Sequence, residues 1–81
     1  IADTQLYSVE DALITLKSFF KNTKNWKDLL DFIPNNLRNK LERKSALASH
    51  FVASLELVKE GSLKLRQDNF NGNILLHPKI N

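Results

Sequence analysis

The 81-residue chain has no cysteine and no methionine, and only two glycines, two prolines and one tryptophan. Without cysteine there is no disulfide framework and no thiolate to attack a substrate or hold a metal. The two glycines, Gly61 and Gly72, are too few and too far apart for a Gly-rich loop that wraps a phosphate. No stretch approaches the roughly 18 apolar residues of a membrane helix. The first residues show no basic-then-apolar signal pattern. Neither a membrane span nor a secretory signal is therefore expected. Lys and Arg number 12 against 9 Asp and Glu, a net charge of +3. That small excess tolerates a nucleic-acid or acidic-protein partner without requiring one.

The length suits one domain spanning 1–81. A domain of this size buries only about 60% of the surface its unfolded chain exposes, so its stability margin is narrow. The chain opens without Met, at Ile1-Ala2-Asp3-Thr4. The expectation is a domain cut from a longer protein.

Apolar periodicity organises the rest. Val9, Ala12, Leu13, Leu16, Phe19 and Phe20 recur at spacings of three and four, one face of a helix. Ser8 stands where an N-cap belongs, and Lys17 and Lys21 crowd the end that favours cations. A short helix over about Trp26 to Phe32 is expected next, stopped by Pro34. Residues 35–44 are ambiguous. Leu37 and Leu41 have helical spacing, but three asparagines favour turns. A long helix then runs from Glu42 or Ser45 to Glu60, and Gly61 stops it. Its apolar stripe reads Leu47, Ala48, Phe51, Leu55 and Val58, of which Phe51, Leu55 and Val58 are expected in the core. Ala46, Ala53 and Leu57 lie far round the helix from that stripe, with Val52 on its other flank. A helix apolar on more than one side is sandwiched between layers or docked on a partner.

Beyond Gly61 the period changes from 3.6 to 2. Leucines alternate with polar residues in Ser62–Gln67, and Ile74–His77 forms a second apolar strand across an Asn-rich turn. Three helices, the last of them long, followed by a two-stranded hairpin make an α+β fold with the plan of a winged helix.

No catalytic constellation emerges, and the chain is expected not to be an enzyme and to need no cofactor. His50 has Ala46 and Ser54 four residues away on either side, so it lacks the ligand spacing of a metal site and reads as a helix-surface histidine. Asp28/Asp31 and Glu56/Glu60 read as solvated helix faces. As a DNA reader the long helix is poorly equipped. From Ser45 to Val58 it carries no Lys or Arg, and phosphate neutralisation dominates DNA affinity. Arg38, Lys40, Arg43 and Lys44, just before it, are the positions for any weak, sequence-independent contact. A solvated face is their simpler reading.

The stretch Arg43 to Gly61, with its Leu55-Glu56-Leu57-Val58-Lys59-Glu60-Gly61 run, followed by Leu63-Lys64-Leu65-Arg66-Gln67, resembles the C-terminal signature of the segregation and condensation protein A family, the bacterial kleisins. Val9 to Leu13 is also similar to that family's first helix. The family's turn usually reads acidic-acidic-Pro-Phe-Gly. Here it is Asp68-Asn69-Phe70-Asn71-Gly72, with the proline absent and the phenylalanine one place early. The resemblance implies a C-terminal winged-helix module, cytoplasmic and nucleoid-associated, that docks on the ATPase head of an SMC subunit in chromosome condensation and segregation. ScpB would bind through a part of the protein outside this chain, and DNA only indirectly or weakly. The rival reading is a winged-helix DNA-binding transcription regulator. For docking, the expected anchors are Val52, Leu57, Leu63, Leu65, Phe70, Ile74 and Leu75, with Leu75 on the free face of the wing if Ile74 and Leu76 point inward. A bridge end without its partner leaves such a patch uncovered, a route to self-association.

Overall fold

The computed structural model describes residues 7–37 and 39–79. Helix α1 spans Val9–Lys21 and opens as its sequence requires. Ser8 is extended, and its hydroxyl accepts the Asp11 N–H at 3.0 Å, which satisfies one of the first-turn donors. Ala12 and Leu16 are fully buried on its inner face.

The segment expected as a second helix forms other structure. Lys27–Asp28 is a short strand, β1, and Leu29–Phe32 is a single 3-10 turn. Asp28 is the reason for the switch. Its backbone is extended and its carboxylate accepts the Leu30 N–H at 2.9 Å, so the helical turn begins only after it. The Ile33 backbone is extended too, as a residue before proline prefers. The four residues between these two stops, Leu29–Phe32, cannot sustain an α-helix, whose nucleation is costly.

Within the ambiguous stretch, the long helix extends backwards to Lys40. Helix α2 spans Lys40–Lys59, and the Asn39 side chain caps it by accepting the Glu42 N–H at 2.9 Å. At its far end Gly61 adopts φ +84°. The Ser62 N–H reaches the Leu57 carbonyl at 2.8 Å and the Gly61 N–H reaches that of Val58 at 3.0 Å, a paired closure that needs a left-handed residue. A Cβ added at Gly61 would meet no atom within 4 Å, so the demand is conformational. Gly61→Ala is expected to cost about 1 kcal/mol in urea unfolding, and Gly61→Asn less. Equal stability of all three proteins would contradict this account of the stop.

Strands β2 (Leu63–Gln67) and β3 (Ile74–Pro78) form the wing. Strand β1 joins them, giving an antiparallel sheet in the order β1-β3-β2. β1 covers β3 only at Leu75 and Leu76, so Pro78, which has no N–H, lies where β3 has no neighbour on that side. The register pairs Leu65 with Leu76 and Leu63 with Pro78 on the inner face. Arg66 pairs with Leu75 and Lys64 with His77 on the outer face.

The core joins α1, the 3-10 turn, α2 and the sheet through Ala12, Leu16, Leu29, Ala53, Leu57, Leu63 and Leu76. Phe20 and Phe32 pack against this core, and Phe19 lies edge-on to both, 5.1 and 5.0 Å between ring centres. Edge-on pairs set the positive rim of one ring against the negative face of the other.

Candidate functional site

The inner face of α2 is built from small and polar side chains. Ala46, Ala53 and Ser54 have no exposed surface. Ser54 answers its own burial by donating to the Phe51 carbonyl at 2.7 Å. Ser45 and Ser49, one turn apart, grip the peptide of Tyr7. The Ser45 oxygen accepts the Tyr7 N–H at 3.1 Å, and the Ser49 hydroxyl donates to the Tyr7 carbonyl at 2.7 Å. His50 is therefore no surface histidine. It is buried, 5.5 Å from the Tyr7 ring and stacked at 6.4 Å on Phe32. Its Nδ1 lies 2.7 Å from the Ala46 carbonyl, which only accepts, so Nδ1 carries the proton. The Nε2 is buried without a partner among the described residues. These polar groups of α2 are spent on internal structure rather than offered to a nucleic acid.

Leu57 apart, most of the large apolar side chains of α2 point the other way. Phe51 is 36% exposed and Leu55 45%, so neither is the core residue its spacing suggested. Leu47 and Val52 are exposed with them, while Val58 does pack against the core. Between α2, the 3-10 turn and β3 the exposed face opens into two adjoining pockets. One, of 360 Å³, is lined by Leu29, Lys44, Leu47, Ala48, Phe51 and Ile74. The other, of 370 Å³, is lined by Leu30, Ile33, Asn35, Arg43, Lys44 and Leu47. Lys44 and Leu47 belong to both, so the two form one groove with an apolar floor and a basic rim.

The expected docking residues scatter when placed on this frame. Leu57 at 1% exposure and Leu63 at 4% are core side chains, and neither is available on the surface. Leu65 and Ile74 are half-buried and packed on the core, and Ile74 also lines the groove. Leu75 is half-buried on the outer face of the sheet, opposite Asp28 and Arg66. Near it the Arg66 guanidinium lies 4.7 Å over the Trp26 ring, which leans on His77 at 5.0 Å. Phe70, 95% exposed, stands at the wing tip. The Gln67 side chain braces that tip by donating to the Phe70 and Gly72 carbonyls. Lys40, Arg43 and Lys44 are exposed along the first turns of α2, and Arg38 lies outside the described residues. Sequence reasoning passed over Leu30, Ile33 and Leu47 as surface residues and gave Phe51 to the core. For Leu47 and Phe51 the signal was the second apolar stripe of α2, which marked a docked or sandwiched helix without saying which side faced in.

No protein-family profile matches the chain, and no curated protein matches it. Among solved structures, the chain superposes on one in the crystal structure of the SmcHead bound to the C-winged helix domain of ScpA. The TM-score is 0.58 at 24% identity, over 86% of this chain and 91% of that one. With two α-helices, a 3-10 turn and a three-stranded antiparallel sheet among its described residues, the chain has the α+β fold of a winged helix.

Proposed function

We propose that this domain is a kleisin-type module that docks on the ATPase head of an SMC subunit in a bacterial chromosome condensation and segregation complex. In this reading it acts in the cytoplasm at the nucleoid and catalyses nothing. The observation that carries the proposal is the exposed apolar face of α2 with the groove beside it. Protein interfaces are centred on such apolar anchors and rimmed by polar groups. Likeness to a winged helix described in complex with an SMC head supports the same partner. The DNA-reading alternative is disfavoured, because the exposed residues of α2 beyond Lys44 include no cation before Lys59 and so cannot neutralise phosphates along a groove.

Calorimetric titration of the domain against a purified SMC ATPase head tests the proposal, with duplex DNA as a parallel titrant. Saturable binding to the head, and no DNA binding beyond a weak, steeply salt-dependent signal, is expected. DNA binding without head binding would replace the proposal with the regulator reading.

A further inference from the structure

Two features of the groove concern the chemistry of what fills it. First, its pockets are offset along α2 by about one turn. One gathers around Arg43, Lys44 and Leu47, the other around Lys44, Leu47, Ala48 and Phe51. A helix presents side chains i and i+4 at that separation, about 6 Å along its axis. Second, the groove carries charge of one sign. Arg43 and Lys44 line it, exposed Lys40 stands one turn before Lys44, and no acidic residue lines either pocket. Among the described residues no ion pair joins Lys40, Arg43 or Lys44 to a carboxylate, whereas Lys27 and Arg66 elsewhere have Asp31 and Asp68 at 3.6 and 3.2 Å. Glu42, the acid of this segment, is buried and already engaged.

We infer that the groove receives an amphipathic helix whose apolar ridge is flanked by carboxylates, the ridge filling both pockets and the acids meeting Arg43 and Lys44. This rests on the docking reading above and adds the chemistry of the partner surface. Recognition of this kind takes affinity from the apolar anchors, and takes orientation and association rate from the charges.

The test pairs the SMC ATPase head with two synthetic helical peptides. The peptides share Leu and Phe at i, i+4 and i+7 and differ only in flanking Glu or flanking Lys. The double variant Arg43→Glu/Lys44→Glu is expected to weaken head binding about 10- to 100-fold. Its urea midpoint stays unchanged, because both side chains are exposed. Head affinity of the unaltered domain is expected to fall as ionic strength rises from about 0.05 to about 0.5 M, and the Glu peptide to bind more tightly than the Lys peptide. Head binding that Phe51→Asp abolishes, but that ignores both the charge reversal and salt, would overturn this inference and leave the docking reading intact. Absence of any head binding would remove the docking reading, and the peptides then decide. A preference for Glu supports the acidic helix, while equal binding, a preference for Lys or no binding overturns it.

Discussion

Truncating Leu57 to Ala is expected to remove about 2–5 kcal/mol of stability, whereas the same truncation at Leu55, two residues earlier on the same helix, costs no more than about 0.5 kcal/mol. Both are leucines of the stripe-bearing helix, and they differ in where the fold puts them. Leu57 is 1% exposed and belongs to the core that joins α1, α2 and the sheet. Its removal loses transfer free energy and leaves a cavity. Leu55 faces solvent at 45%, and Ala is the better helix former. A domain of 81 residues carries about 4–12 kcal/mol of total stability, so Leu57→Ala forfeits a large share of it. The melting temperature is expected to fall by about 8–40 °C at about 4–8 °C per kcal/mol. Urea and thermal unfolding of the two variants side by side measure this. Equal losses would mean that the buried face of α2 is the one its large side chains suggested.

Phe51→Asp is expected to weaken SMC-head binding by about 30- to 1000-fold, the effect of losing a central anchor worth about 2–4 kcal/mol. The ring lines the groove between α2 and β3 and is partly exposed. A carboxylate there would sit on an apolar floor the partner must cover, desolvated without a hydrogen bond. Leu75→Asp, on the opposite face of the sheet, is expected to change affinity less than about threefold, within the range of near-neutral interface positions. Circular dichroism and urea midpoints establish that both variants are folded. The reverse pattern, with Leu75→Asp abolishing binding and Phe51→Asp silent, would move the docking surface to the wing.

Much of the architecture was legible because local chemistry and long-range packing agree. Ser8 caps α1 and Gly61 ends α2 where the residues alone required it. The alternation of Leu63 to Gln67 with Ile74 to His77 became the hairpin in the register that alternation demands. The short helix failed because Asp28 and Pro34 act as stops at either end of it, and because backbone groups at Lys27 and Asp28 found partners on β3 instead. A strand of two residues has no periodicity to read. Only the position of β3 beside it creates that strand.

The candidate site was legible as a contradiction rather than as a location. The sequence by itself determined that α2 would be apolar on two sides and that its cations, Lys59 apart, would gather before Ser45. It could not determine which stripe faces inward, because periodicity weighs side chains by hydrophobicity, whereas packing selects them by shape. Close packing of the interior accommodates fully buried Ala12, Ala46 and Ala53, and it leaves room for Ser49, His50 and Ser54, whose hydroxyls and Nδ1 find backbone carbonyls inside. That choice belongs to the tertiary structure, and it turns Leu47, Phe51 and Leu55 outward.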